Sequence, residues 1–234
     1  MEITHSIHII MPVKDSIETA EQAIRSIVNS GHTLTVYDDY STNETAERLD
    51  TLQRELGIHV IHISEYIDNP SPNYRWVLIN AQKECIEKGK HLIIIESDVI
   101  ISEQTIDKLS NVVSEQIGMV AAVTTDNKGN INFPYEYAKH IQTDCTSNKR
   151  FSFCCTLLTN TLLRAYNFEQ LNPNKNWYDV YISHMSQKLG FNNILQISNP
   201  VLHIPHSSRP WKQLKYTNPL LYYWRKITQR RDKI

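Results

Sequence analysis

The feature that most constrains this chain is a rhythm. For over a hundred residues, short apolar runs alternate with segments of helical period, and glycines close the helical segments. Ser6 to Val13 (SIHIIMPV) is an apolar run ended by Pro12 and polar residues, and Asp15 with Glu18 has capping-box spacing ahead of a helix closed by Gly31. Leu34 to Tyr37 reads as a second strand, and Ser41 with Glu44 opens a helix that stops at Gly57. His59 to Ile63 is a third strand, Tyr74 to Lys88 a helix ended by Gly89, and His91 to Ile95 a strand apolar on both faces. Such alternation predicts an α/β fold, Rossmann-like, with a mostly parallel central sheet and helices on both faces. Ligands then bind at the carboxyl ends of the strands near a switch in strand order, so chemistry is expected in the loops after Tyr37 and Ile95.

After Thr124 the rhythm gives way to an irregular polar stretch up to Arg150, then an apolar strand-like run from Phe151 to Leu158. Tyr178 to Leu189 has helical spacing ending at Gly190, and Ile194 to Ile197 and Val201 to Ile204 read as two strands. Lys and Arg total 24 against 25 Asp and Glu, so no global charge attracts nucleic acid or an anionic membrane. Cys85, Cys145, Cys154 and Cys155 form no C-x-x-C pair, which fits a reducing, cytoplasmic compartment. Met1 to His5 lacks a basic region followed by an apolar run, and no stretch reaches the ~20 apolar residues of a membrane span, so neither secretion by that route nor integral insertion is expected.

Two acidic clusters fall in the loops singled out above. Asp38 and Asp39 follow the second strand directly; they either cap the next helix or accept hydrogen bonds from a nucleobase imide or ribose hydroxyl. Glu96-Ser97-Asp98 follows the most apolar strand. It either caps a helix ahead of Ile106 or brings two oxygen donors onto one hard cation that bridges a diphosphate. Of the six glycines, Gly31, Gly57, Gly89 and Gly190 serve as helix ends, and neither G-x-G-x-x-G nor a Walker loop is present. Backbone amides then cannot be the main partner of a bound diphosphate, and a carboxylate-held Mg²⁺ or Mn²⁺ becomes the economical way to neutralise it.

These segments together resemble the large second family of inverting glycosyltransferases, of the GT-A fold and the bacterial surface-polysaccharide type. Ile9-Ile10-Met11-Pro12-Val13 is similar to its opening strand, Asp38-Asp39-Tyr40-Ser41-Thr42 to its D-D-G-S motif, Glu96-Ser97-Asp98 to its D-x-D, and Asn80-Ala81 loosely to its N-x-G. Tyr178-Asp179-Val180 with Leu189-Gly190-Phe191 resembles the E-D-V and L-x-x-x-G-Y stretch, and Val201-Leu202-His203 the later V-x-H. The resemblance implies that Asp179 is the catalytic base, that Asp98 and His203 hold Mn²⁺ or Mg²⁺, and that Pro12, Val13, Asp38, Asp39, Asn80, Glu96 and Ser97 bind the nucleotide. It further implies a UDP-sugar donor, a glycan or lipid-linked hydroxyl acceptor, and a role in surface polysaccharide or glycan synthesis. Residues 1–217 would form the GT-A domain, with a nucleotide half to about 124 and an acceptor half beyond it. Glu96, Tyr40 and Tyr178 replace the family's Asp, Gly and Glu, and Asn43 stands where a further Asp is usual.

Two other functions share parts of this pattern. A sugar-1-phosphate nucleotidyltransferase should carry a Gly-rich loop after the first strand, where Pro12-Val13-Lys14-Asp15 stands instead; a non-catalytic sugar- or nucleotide-binding module would tolerate the altered motifs. His203 and His206 are too few for a zinc site, and His206 is assigned an ordinary polar role. Arg75 reads as a surface arginine, with phosphate contact as the alternative. The tail from Arg209 to Ile234 holds eight Lys or Arg and one Asp among aromatic residues. It suits a peripheral contact with the inner membrane face, or else a terminal helix packed on the core or Lys and Arg contacts to the donor phosphates.

Overall fold

The computed structural model describes residues 6–175, 177–204 and 218–228. Strands β1 (Ile7–Val13), β2 (Thr35–Asp38), β3 (His59–His62) and β4 (His91–Ile95) are joined through helices α1 (Ile17–Asn29), α2 (Asn43–Leu56) and α3 (Tyr74–Glu87). There follow β5 (Val99–Ile100), α4 (Thr105–Ser110), β6 (Ile117–Thr125), β7 (Cys145–Thr146), β8 (Cys155–Leu158), α5 (Asn160–Ala165), α6 (Tyr178–Lys188), β9 (Asn192–His203) and α7 (Pro219–Thr228). One sheet has the order β3-β2-β1-β4-β8-β6-β9-β5, with β7 on β9. The pairings make β1, β2, β3, β4, β6 and β9 run one way and β5, β7 and β8 the other.

Alternation along the strands builds two cores. Ile9, Met11, Ile93 and Ile95 point to the face covered by α1, α2 and α4, and Ile10, Leu92 and Ile94 to the face covered by α3, α5 and α6. Both faces are therefore apolar, as His91–Ile95 requires. The sheet also parts at its carboxyl edge. Pairing of β1 with β4 spans Ile7 to Ile10, whereas pairing with β2 continues to Val13. The chain winds from β1 outward to β3 and then returns to β4 on the other side, so the switch in strand order lies where β1 and β4 part. Pro12 sits in that parted segment, where its missing N–H leaves no gap in a ladder with β4.

Several local expectations are corrected. Asp15 and Ser16 adopt φ of 56° and 53°, α1 begins only at Ile17, and no side chain caps it. Asp15 instead accepts from the Thr42 N–H at 2.8 Å, while Ser41 Oγ accepts from the Asp15 N–H at 3.0 Å, stitching the first two strand-end loops together. Ser41 does not cap α2 either; the helix begins after Thr42. The expected strand from Phe151 shortens to Cys155–Leu158. The two expected strands near the end are one, Asn192–His203, whose register with β6 shifts between Ala122 and Thr124 and so absorbs Pro200. His206 and residues 209–217 and 229–234 of the basic tail lie outside the described residues. Within α7, Leu220, Tyr223 and Trp224 are exposed. Among the described residues no helix is long and apolar enough to cross a membrane.

Candidate active site at the carboxyl edge of the sheet

The two acidic clusters sit at the edge where β1, β2, β4 and β9 end, and Asp179 lies in the first turn of α6. Asp38 is the last residue of β2 and is buried; it lies in register with His62 at the end of β3. One oxygen accepts from the Ser41 N–H at 3.0 Å and the other meets His62 Nδ1 at 2.8 Å, while His62 Nε2 meets Asp50 of α2 at 3.0 Å. Both imidazole nitrogens face carboxylates, so both must donate, which requires the cation. Burial works against that charge, but the hydrogen bonds to Asp50 and Asp38 outweigh it and raise His62 above the ordinary imidazole value. The sequence reading missed His62, although its position opposite Asp38 in a parallel pair was the available signal.

Asp39 is held from the other side. Its carboxylate accepts from Ser71 Oγ at 2.8 Å, from the Asn73 N–H at 2.9 Å and from Asn73 Nδ2 at 2.7 Å, pinning the loop that leads into α3. Tyr40, at φ 59°, donates its hydroxyl to the Ile67 carbonyl and accepts from the Asn69 N–H at 3.1 Å. The tyrosine at a position where the family has glycine thus ties down the same loop. Neither Ser71 nor Asn73 was anticipated. Asn80, two turns along α3, donates to the Trp76 carbonyl of its own helix at 2.8 Å, and Arg75 donates to the carbonyls of Leu171 and Glu169. Both are occupied in fastening helices.

The second cluster is a turn, closed by the Val99 N–H on the Glu96 carbonyl at 3.1 Å, with Ser97 and Asp98 buried. Here β5 pairs antiparallel with β9, setting Val99 opposite His203, and the Ile204 N–H binds the Asp98 carbonyl at 2.8 Å. This brings Asp98 Oδ2 to 3.4 Å from His203 Nε2 although the residues are far apart in sequence. His203 Nδ1 lies 2.8 Å from the Phe133 carbonyl, which can only accept, so Nδ1 donates there and Nε2 is the nitrogen turned toward Asp98. A carbonyl that fixes the tautomer in this way is the usual support for a ligating imidazole. Among the described residues no group of three or more His, Cys, Asp or Glu side chains converges. Asp98 and His203 provide two donors, which fits a hard cation that completes its shell with phosphate oxygens and water.

Glu96 accepts a weak hydrogen bond from the Cys154 thiol at 3.5 Å. Burial, with the Glu96 and Asp98 charges nearby, pushes that thiol well above its ordinary value, so Cys154 remains a protonated donor. Asp179, partly buried in the first turn of α6, has its carboxyl raised to about 6. Desolvation is the main cause; the Val180 N–H pulls it back, Glu96 raises it further and Arg150 lowers it. Glu96 and Asp179 therefore lie within electrostatic reach of each other. Tyr178, where the family has Glu, is buried against Tyr74 with ring centroids 6.4 Å apart, and its hydroxyl donates to the Asn172 carbonyl.

The sequence matches the profile described as Glycosyl transferase family 2 over residues 8–186. No curated protein matches it. Among solved structures, it is similar to GalNAc-T7 bound to UDP, GalNAc and Mn²⁺, with TM-score 0.62 and 13% identity over 89% of this chain and 45% of that one. It is also similar to glucosyl-3-phosphoglycerate synthase from Mycobacterium tuberculosis with Mn²⁺ and UDP-glucose, with TM-score 0.57 and 15% identity over 90% and 74% of the two chains. A third neighbour, described as a mycobacterial protein, has TM-score 0.60 and 16% identity over 88% and 69%. Identities this low speak for the fold, while the profile spans most of the chain; from β1 to the helix that carries Asp179, this protein belongs to glycosyltransferase family 2 and has the GT-A fold.

Proposed function

We propose that the protein transfers a sugar, with inversion, from a UDP-sugar to a hydroxyl acceptor, with Asp179 as general base. The observation that carries the reading is the Asp98–His203 pair at the sheet edge, with the Asp179 carboxyl, raised to about 6, close enough to feel the Glu96 charge. Family membership favours glycosyl transfer over nucleotidyl transfer. Mn²⁺ or Mg²⁺, held by Asp98 and His203, would supply charge stabilisation for the departing diphosphate; the solved neighbours that hold UDP with Mn²⁺ support this choice.

The step is a single displacement. The acceptor oxygen bonds to the anomeric carbon, the bond from that carbon to the diphosphate oxygen breaks, and its electron pair leaves with UDP. Asp179 takes the hydroxyl proton, a contribution typically worth ~10²–10⁴-fold. A carboxyl group near 6 is almost wholly ionised at neutral pH yet is a better base than an unperturbed aspartate. The base and ribose are assigned to the cleft where β1 and β4 part, walled by Pro12, Val13, Asp38, Asp39, Glu96 and Ser97. Asp39 already accepts three hydrogen bonds, so it acts there chiefly by holding the Asn69 to Asn73 loop. Asn80 serves the site only through α3.

In this reading the enzyme serves glycan or surface-polysaccharide synthesis at the cytoplasmic side, and the exposed Leu220, Tyr223 and Trp224 are the residues that would rest on the membrane face. The test of the activity is Asp179→Asn. Transfer, or slow hydrolysis of the donor sugar, should fall by two orders of magnitude or more, while UDP binding in Mn²⁺ is retained. Loss of UDP binding with Asp179→Asn would make the residue structural, and absence of any hydrolysis by the wild type would favour a binding module.

A further inference from the structure

An exposed aromatic and a cation flank the proposed base. Trp177 directly precedes α6, is 37% exposed, and its carbonyl accepts from the Tyr181 N–H at 3.0 Å in the first turn of that helix. Arg150 ends the polar segment before β8, is exposed, and holds its guanidinium carbon 5.7 Å from the centroid of the Trp177 ring. Among the described residues Arg150 forms no ion pair with a carboxylate, although its charge reaches Asp179 and draws that carboxyl downward.

The placement is built into the fold. Tyr137 donates its hydroxyl to the Arg150 carbonyl at 3.2 Å, the next residue, Phe151, donates its N–H to Ser183 Oγ at 3.0 Å, and Ser183 Oγ donates to the Asp179 carbonyl at 2.7 Å. The segment bearing Arg150 is thus strapped to the turn of α6 bearing the base. A guanidinium held beside an indole by a cation–π contact uses its charge there and keeps its N–H fork for another partner. Carboxylates and phosphates are the groups that a fork of this kind grips with two bonds. The indole meanwhile presents the flat apolar surface on which the C–H face of a pyranose packs.

We infer that Trp177 and Arg150 form the acceptor subsite, and that the acceptor is a glycan whose sugar carries an anionic group, a carboxylate or a phosphate. The inference rests on the reading of Asp179 as the base, because that reading puts the acceptor hydroxyl beside α6. The test is a titration of the full chain, ¹⁵N-labelled at tryptophan, with methyl β-D-glucuronide, glucose 6-phosphate and methyl β-D-glucoside. The indole N–H signal of Trp177 is identified by its loss in Trp177→Phe. We expect that signal to shift with at least one of the two anionic sugars at roughly ten-fold lower concentration than with the neutral one, and the arm that responds tells carboxylate from phosphate.

Arg150→Met should remove the preference while leaving the melting temperature in place, as its side chain is exposed. Equal responses to all three sugars in the wild type, or a preference that survives Arg150→Met, would overturn the inference. A parallel titration with UDP and Mn²⁺ separates the two levels. A chain that binds UDP but shows no anionic preference loses this inference alone, and one that binds neither loses the transferase reading as well.

Discussion

The carboxyl group of Asp179 meets two opposed demands. As the proposed base it must be ionised, and as a partly buried group it resists ionisation, which is why it moves from 3.8 to about 6. In the unfolded chain the same carboxyl loses its proton near the ordinary value, so the folded state is penalised as pH rises from about 4 through 6. At about 1.4 kcal/mol per pKa unit the penalty reaches roughly 3 kcal/mol, less whatever solvent screens. Asp179→Asn should therefore melt higher than the wild type at pH 7.5 by several degrees, with the difference gone near pH 4. In the wild type, kcat/KM should fall on the acid side with an apparent pKa near 6. A single melting curve at each pH and one pH–rate profile check both statements.

His62 has the opposite sign. Its folded value lies above the ordinary 6.5, so the stability it lends through Asp38 and Asp50 is complete below about 6.5 and lost as pH rises through the folded value. His62→Gln should accordingly be destabilised relative to the wild type at pH 6 and much less so at pH 9. Equal differences in melting temperature at the two pH values would mean that packing, not the shared proton, is what His62 contributes.

Among the elements, β6 is tightly packed at Gly118, beside Ser186 and Phe191. A Cβ on Gly118 would lie 2.1 Å from Ser186 Oγ and 2.8 Å from Phe191 Cβ, and Ser186 is itself bound to Asn193 at 2.6 Å inside the core. Gly118→Ala should cost about 2–3 kcal/mol as overpacking and displace the helix that carries Asp179, read as a lower denaturation midpoint together with a fall in kcat. The sequence makes the elements up to β4 readable because their periods are clean and their glycines sit at helix ends: Gly31, Gly57 and Gly89 all have positive φ. It misleads where tertiary contacts override local patterns. Asp15 and Glu18 have capping spacing, yet Asp15 is claimed by the Thr42 N–H from the loop after the neighbouring strand, and Pro200 sits inside one continuous strand because the register shift accommodates it. The acids of the site are visible as residues after strands. Their partners His62, Asn73 and Cys154, and the Phe133 carbonyl that binds His203, come from other strands and loops, and no local spacing announces a contact made through sheet order.

For the molecule as a whole, the sheet is a device for gathering carboxyl-edge loops around one cleft. β1 parts from β4 there, Asp39 holds the adjoining loop, and the antiparallel seam of β5 with β9 carries His203 to Asp98. The near-neutral charge of the chain leaves attraction of a nucleoside diphosphate to a local cation, not to a general field. The central claim is that Asp98 and His203 hold that cation. Thermal unfolding with UDP, in Mn²⁺ and in excess chelator, tests it most directly. A ligand at a hundred times its Kd adds about 2.7 kcal/mol, which for a chain of this size is a rise of roughly 5–10 °C. The wild type should show that rise in Mn²⁺ and lose it in chelator, and Asp98→Ala should show none in either. Full stabilisation of Asp98→Ala by UDP and Mn²⁺, or of the wild type in chelator, would contradict the account.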